Sequence, residues 1–370
     1  MKVKVITRHA PANYGSLLQT MATQKIIKTL GLECEIIDYI PLPETGMRIA
    51  FTQLNEKGNW NKNFFKKVIY IMGREPENLL MYHKFKIMRK KYLVMTERCK
   101  NLAQLQSLSS NEEEIFMTGS DQVWGPTSSG IYNPAYFLDF VSERNRKIAF
   151  AASFGKTIFT KEVLAEYTKY LEKYDRITVR EDSAVDLIST IGLHAEQVLD
   201  PTLILSADEW SQYIKESVNG DYVLVYQIHN NPALDHYAVE FAKKANLPLI
   251  RVSAMLHQCK RGGKFVYLPN ISKFLSLIKN ARYLVTDSFH GTAFAINFNT
   301  QFVEILPNSG TESRNQSILR LTGLENRIVN NFEDFHYIEE KIDFAHINKI
   351  LTVQRKKSVN ILRNILIDNT

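Results

Sequence analysis

The chain has 370 residues, 45% hydrophobic and 23% charged, a composition that excludes disordered, collagen-like and low-complexity classes. No apolar run approaches the ~20 residues needed to span a bilayer, and a chain this long exceeds the size at which one core stops growing, so two domains are expected. The net charge of +7 is concentrated: residues 57–91 hold ten Lys/Arg against Glu75 and Glu77, a local +8 that leaves the remainder near neutral.

In chain order, residues 2–7 read as a strand, 8–15 as a loop, and 16–30 as a helix with Leu17, Leu18, Met21, Ile26, Ile27 and Leu30 on its apolar side, stopped by Gly31. Residues 35–40 are the next strand. They close a βαβ unit whose loop lies at a strand's carboxyl end, where open α/β sheets bind ligands. The basic segment that follows interleaves Trp60, Phe64, Phe65, Ile69, Tyr70, Tyr82 and Phe85 with its lysines. Such a helix fits either an anionic membrane surface or a solvated insertion whose apolar side packs on its own domain. No nucleic-acid motif accompanies it. Strands at 115–118, 147–152, 176–179 and 197–199 then alternate with helices near 161–174 and 184–190. They run into Gly119-Ser120-Asp121-Gln122-Val123-Trp124, Ser153-Phe154-Gly155, Arg180-Glu181-Asp182-Ser183 and Asp200-Pro201-Thr202. Strands that repeatedly end in polar or glycine-containing turns and alternate with helices argue for a parallel sheet covered on both faces.

The polar stretch 211–221, ending Asn219-Gly220-Asp221, marks a domain boundary placed at 213/214. Beyond it come a strand at 222–228, a helix at 232–245, a strand at 248–252 and a Lys/Gly-rich loop at 258–264. The stretch 269–298 organises the second half. Its first part is an amphipathic helix through Ile271, Phe274, Leu275 and Ile278, and Tyr283-Leu284-Val285-Thr286 is a short buried strand. Asp287-Ser288-Phe289-His290-Gly291 then leads into an apolar helix at 292–298. A helix leaving a strand's carboxyl end presents unpaired N–H groups and its positive dipole end, so the turn 288–292 is expected to cradle a phosphate or carboxylate. Gly291 would let a ligand approach the backbone, and His290 can change protonation near neutrality. The alternative is local capping by Asp287 or Ser288. A strand at 300–306, a turn at 307–310, a helix at 314–321 and a long amphipathic helix at 344–367 complete the chain.

The expected architecture is α/β, with two Rossmann-like domains facing across a cleft. Residues 1–213 form the first, carrying a basic helical insertion at about 57–105, and 214–340 the second. A C-terminal helix within 341–370 is able to pack back on the first. The opening MKVKVITRHA reads as a strand rather than a secretory signal. Cys34, Cys99 and Cys259 are dispersed and match neither a disulfide framework nor a zinc site, so a cytoplasmic setting is expected.

Several motifs together resemble the polysaccharide pyruvyl transferase family: Asn13-Tyr14-Gly15 with Leu18-Gln19, Gly119-Ser120-Asp121-Gln122-Val123-Trp124, Ala152-Ser153-Phe154-Gly155, Val179-Arg180-Glu181, Asp200-Pro201-Thr202 and Thr286-Asp287-Ser288-Phe289-His290-Gly291-Thr292-Ala293-Phe294. They occur in order across residues 3–325, with the basic segment and the C-terminal helix outside the resemblance. The resemblance implies a GT-B-like fold. It also implies an enzyme that uses phosphoenolpyruvate to place a pyruvyl ketal on a sugar of a cell-surface polysaccharide or its lipid-linked precursor, releasing phosphate. His290 is then the catalytic histidine. The basic residue that follows this motif in some members has no lysine counterpart, and Arg314 stands nearest.

Phosphoenolpyruvate carries a phosphate and a carboxylate on adjacent atoms, and arginine matches both bidentately. Arg8, Arg180 and Arg314 are the candidates, with Arg180 grouped beside His290 as catalytic. Substrate-binding candidates are Asn13, Tyr14, Gly15, Ser120, Asp121, Gln122 and Ser153 on the first, acceptor-side domain, and Ser288, Phe289, Gly291 and Thr292 on the second, donor-side domain. Ketal formation protonates the enol methylene, so His290 fits either as that acid or as the group protonating the departing phosphate. Asp121 or Asp287 could serve as base, or as turn former and cap. No metal and no cofactor beyond the donor substrate are expected. The partners are phosphoenolpyruvate, a glycan acceptor and, through residues 57–91, a peripheral membrane contact. The rival reading is a glycosyltransferase of the same architecture using a nucleotide sugar, although no acidic residue is placed to hold a ribose. A glycan-assembly scaffold docked through 57–91 comes third.

Overall fold

The computed structural model describes residues 1–45, 48–55, 62–125, 132–307 and 310–368. The start of the basic segment, 57–61 with Trp60, and the Asn308-Ser309 centre of the expected turn lie outside the described residues. The chain forms two compact units, Met1–Pro201 with Ile361–Thr370, and Thr202–Asn360.

The first unit holds six parallel strands in the order β2-β1-β3-β4-β5-β6. These are β1 (Lys2–Ile6), β2 (Glu33–Ile36), β3 (Ile115–Thr118), β4 (Lys147–Ala152), β5 (Arg176–Val179) and the two-residue β6 (Glu196–Gln197). β3 and β4 are buried at every position, as strands covered on both faces must be. From β1 the chain runs through helix Tyr14–Thr29 to β2 on one side, then returns by helices Arg48–Asn55, Phe64–Tyr92 and Leu102–Ser107 to β3 on the other. The sheet therefore switches direction between β1 and β3. Helix Tyr14–Thr29 begins two residues earlier than the apolar pattern suggests, because Asn13 caps it: its Oδ1 accepts from Gly15 N at 2.8 Å and Ser16 N at 3.5 Å.

Within the basic insertion, helix Phe64–Tyr92 buries Met81, Phe85 and Met88, and the Phe85 ring lies 5.1 Å from that of Tyr14. Its opposite side exposes Phe65, Ile69, Met72, Leu79, Leu80 and Ile87, spaced at helical intervals on either side of Pro76.

The second unit holds five parallel strands in the order β11-β10-β7-β8-β9. These are β7 (Val223–Tyr226), β8 (Leu249–Ser253), β9 (Lys264–Tyr267), β10 (Tyr283–Thr286) and β11 (Gln301–Glu304). β9 begins at the last residue of the loop expected at 258–264 and runs through residues to which the sequence pattern assigned no element. It is a half-buried edge strand entered through Gly262-Gly263, both at positive φ, and that punctuation hides it in the sequence. β7, β8 and β9 extend the sheet one way, and helix Ile271–Lys279 then brings the chain back to β10 on the other side of β7. The second switch point lies between β7 and β10.

The expected boundary at 213/214 falls inside the second unit. Trp210 donates from Nε1 to Thr202 O at 2.9 Å and packs edge-on against Phe294 at 5.1 Å. The polar stretch after it is hydrogen-bonded structure: Lys215 N and Val218 N donate to the hydroxyls of Ser272 and Ser276. Helix Phe344–Arg363 belongs mostly to the second unit, where Arg355 Nε donates to Leu203 O at 2.7 Å. From Ile361 on the chain joins the first unit, where Arg146 Nη2 donates to Ile365 O, just past the helix, at 2.5 Å.

Candidate functional site

In an open α/β sheet, ligands bind beyond the strand carboxyl ends where the strand order reverses. Each unit has one such place, and the sequence-derived candidates divide between them.

At the first, the expected binding residues hold one another. Asp121, at φ 79° and nearly buried, accepts from the Ser16 hydroxyl at 2.6 Å and from Gln122 N at 2.9 Å. The Ser120 hydroxyl donates to Asp200 at 2.9 Å, and that of Ser153 to Glu181 at 2.6 Å. The side chain of Gln122 fills the space beside Gly155, where a Cβ would meet it at 2.3 Å. In the middle sits Arg180, its side chain 1% exposed. It lies 2.8 Å from Asp200, 3.5 Å from Asp121 and 3.6 Å from Glu181. Burial works to lower its pKa, but Asp200, Asp121 and Glu181 outweigh it and raise it, so the guanidinium stays charged. One cation among three carboxylates leaves a local charge of −2, which repels a trianion. Arg180 is thus held as an internal anchor among Asp121, Glu181 and Asp200.

The neighbouring candidates are similarly occupied. Arg8 pairs with Glu44 at 2.8 Å. Tyr14 and Gly15 are buried in the first turn of the helix that Asn13 caps. His9 is fully buried, with Nδ1 at 3.1 Å from Thr7 O and Nε2 at 3.3 Å from Asp38. Trp124 is buried in the core, stacked on Phe137.

At the second switch point, helix Phe289–Phe298 starts earlier than expected, which moves His290 from a loop into the first helical turn. Ser288, not Asp287, is the N-cap, and its hydroxyl accepts from Gly291 N at 3.2 Å. Gly291 meets a packing demand: a Cβ there would meet Thr286 Oγ1 at 2.4 Å, so glycine lets the helix lie this close to β10. The His290 ring is 5% exposed and meets Phe289 edge-on at 5.1 Å.

Asp287 is free of the capping role and does something else. Its buried carboxylate accepts from Ile228 N at 2.7 Å, from His229 N at 2.9 Å and from His229 Nδ1 at 3.2 Å. His229 was not among the expected residues. It follows β7 by three positions, and only the pairing of Thr286 with Tyr226 across the switch point brings it to Asp287.

Behind this loop, Glu304 at the end of β11 links two helices. It takes the hydroxyl of Thr292 on the His290 helix, and Asn315 Nδ2 donates to its other oxygen at 2.5 Å from helix Ser313–Thr322. The first turn of that second helix carries Arg314, half-buried. Burial pushes the Glu304 carboxyl up to about 8. The hydrogen bonds from Thr292 and Asn315 oppose this, and the charge of Asp287 adds to it.

A hollow of about 490 Å³ in the first unit, lined by Glu172, Asp175, Arg176, His194 and Ile365, opens at the amino end of β5, the wrong end of the sheet for a ligand site of this class. Among the described residues, no group of three or more His, Cys, Asp or Glu could hold a metal ion.

Comparison with known proteins places these features. Similar solved structures include UDP-GlcNAc 2-epimerase from Methanocaldococcus jannaschii, at 12% identity and TM-score 0.55, covering 99% of each chain. A second is MnaA from S. aureus in a co-structure with UDP, at 10% identity and TM-score 0.53, covering 99% of this chain and 96% of that one. At such identities the likeness is one of fold, the GT-B-like class of two parallel-sheet α/β domains. No curated protein matches the sequence. The family model for polysaccharide pyruvyl transferase matches residues 13–310, most of the chain, and this protein belongs to that family.

Proposed function

We propose that this protein transfers the pyruvyl group of phosphoenolpyruvate to two hydroxyls of a sugar, forming a ketal and releasing phosphate. Family and fold support a transferase of polysaccharide biosynthesis. The observation that carries the finer reading is the position of His290: an imidazole in the first turn of the helix that leaves β10, at the sheet's switch point. The helix dipole there favours an anion. An imidazole beside an anion keeps its proton more readily and can deliver it to the enol methylene. Arg314, on the helix tied through Glu304 to that of His290, is the cation closest in role to a donor carboxylate clamp.

The test is which product appears. With phosphoenolpyruvate and methyl hexopyranosides bearing free 4- and 6-hydroxyls, inorganic phosphate and an acid-labile pyruvate ketal are expected. Nucleoside diphosphate released from a nucleotide sugar, with phosphoenolpyruvate inert, would favour the rival glycosyltransferase reading.

The acceptor in this reading is met at an anionic lipid surface. No helix among the described residues is long and apolar enough to cross a membrane. The exposed stripe Phe65, Ile69, Met72, Leu79, Leu80 and Ile87 is flanked by Lys66, Lys84, Lys86, Lys90 and Lys91, while Arg74 is answered by Glu77 at 2.6 Å. An exposed apolar stripe bordered by lysines suits the headgroup boundary of anionic lipid. Cosedimentation with phosphatidylglycerol vesicles but not with phosphatidylcholine vesicles is expected, and Phe65→Asp with Ile69→Asp should abolish it. Binding that ignores lipid charge, or self-association through the same stripe, would overturn this part.

A further inference from the structure

We propose that His229 is a second catalytic residue, the base that takes the proton from the attacking sugar hydroxyl, and that Asp287 is its positioning residue. The inference rests on the pyruvyl-transfer reading and adds to it a group that the family motifs do not contain.

The geometry is that of an oriented imidazole. An ionised carboxylate only accepts, so the 3.2 Å contact between Asp287 and Nδ1 puts the ring proton on Nδ1 and leaves the lone pair on Nε2. The carboxylate is 0% exposed and held by Ile228 N and His229 N, while the His229 side chain remains 33% exposed. A fixed inner end and an open outer end are what a general base needs. His229 follows β7 and His290 follows β10, the two strands that flank the switch point, so both imidazoles belong to one ligand-binding position. Beyond Asp287, the charge nearest this pair is Asp235, which feels Asp287 and is itself answered by Arg251 at 3.0 Å and Arg261 at 3.5 Å. Arg261 also donates to Asn230, the residue after His229, at 2.6 Å.

Two imidazoles close the proton balance. In the first step His290 gives its proton to the methylene, which becomes a methyl group. The first hydroxyl oxygen bonds to the central carbon as its proton passes to His229. In the second step the carbon–oxygen bond to phosphate breaks, and the phosphate leaves with the bonding pair and the proton held by His229. The second hydroxyl then closes the ketal, returning its proton to His290. Of the two hydroxyl protons, one ends in the methyl group by exchange through His290 and one on phosphate, and both histidines regain their starting states.

Three measurements test this. In protein labelled with 15N-histidine, His229 is expected as the Nδ1–H tautomer, shifting toward Nε2–H in Asp287→Asn; this readout needs no substrate. In phosphate release from phosphoenolpyruvate with methyl hexopyranosides, His229→Asn should lower kcat on the order of 100-fold. Phosphoenolpyruvate affinity and Tm should stay near those of the parent. The base must be unprotonated, so the parent's rate rises with pH on the acid side; His229→Asn should lose that acid limb while keeping the alkaline one set by His290. A His229→Asn enzyme with kcat within threefold and its acid limb intact overturns the proposal, as does an Nε2–H tautomer in the parent. If the parent releases no phosphate at all while His229 shows the Nδ1–H tautomer, it is the pyruvyl-transfer reading that fails.

Discussion

At the first switch point a guanidinium that is 1% exposed lies among three carboxylates, whereas at the second an imidazole that is one-third exposed leans on a single buried aspartate. Both places sit beyond the carboxyl ends of parallel strands, and both carry polar residues in their loops. Topology alone therefore does not distinguish a site from a lock. The distinction lies in whether the polar groups are shut off from solvent. Around Arg180 every carboxylate and serine hydroxyl has a protein partner, and the cluster ties the loops after β3, β4 and β5 into one piece. Around Asp287 the carboxylate is held by Ile228 N, His229 N and His229 Nδ1, while the His229 side chain stays one-third exposed.

The largest effect should come from breaking the lock. Arg180→Met leaves Asp121, Glu181 and Asp200 buried without their shared cation. Removing one partner of such a cluster costs about 3–5 kcal/mol, enough to lower the Tm of the first unit, Met1–Pro201 with Ile361–Thr370, by roughly 10 °C. Acid should relieve the loss, since protonation removes the charges that repel. Thermal melts across pH check this, and a second change, Asp200→Asn, should recover part of the stability. An Arg180→Met protein that melts like the parent but no longer binds phosphoenolpyruvate would reverse the comparison and restore Arg180 to a donor-binding role.

Next in size is the loss of an acid at the second switch point. His290→Asn should lower kcat on the order of 10²- to 10⁴-fold, the span of a general acid's contribution, with circular dichroism unchanged. Because the acid must carry its proton, the parent's rate falls as pH rises past its pKa, and that alkaline limb should vanish in the variant. If the limb persists, the proton comes from elsewhere.

These two residues also show what the sequence disclosed. The strands of both parallel sheets, except for the edge strand β9, were legible because buried runs such as Ile115-Phe116-Met117-Thr118 and Tyr283-Leu284-Val285-Thr286 leave a plain pattern. His290 was legible because strand, histidine, glycine and helix are adjacent in the chain. The character of Arg180 was not, since its partners Asp121 and Asp200 stand 59 positions before it and 20 after, and only the folded sheet brings them together. His229 was hidden for the same reason: it lies 58 positions from Asp287. The packing role of Gly291 was hidden because a close ligand and a close threonine hydroxyl demand the same absent Cβ.

A smaller effect separates the scaffold of the second site from its chemistry. Glu304 holds the His290 helix to the helix of Arg314, and burial raises its carboxyl to about 8 from an ordinary value of 4.5. Between those two values the folded protein keeps a proton that the unfolded chain has released, so stability falls as pH rises. The slope is at most about 1.4 kcal/mol per pH unit, and it vanishes below 4.5 and above about 8. Glu304→Gln keeps an acceptor for Asn315 and presents an amide N–H to the Thr292 hydroxyl, which turns to accept it, while removing the titration. The variant should therefore melt close to the parent near pH 4.5 and progressively above it toward pH 8. Its alkaline limb of activity should be unmoved, because that limb belongs to His290. A variant whose Tm difference from the parent is the same at every pH would mean that Glu304 is ionised in the fold, and its link between the two helices would then be that of a buried anion held by two neutral donors.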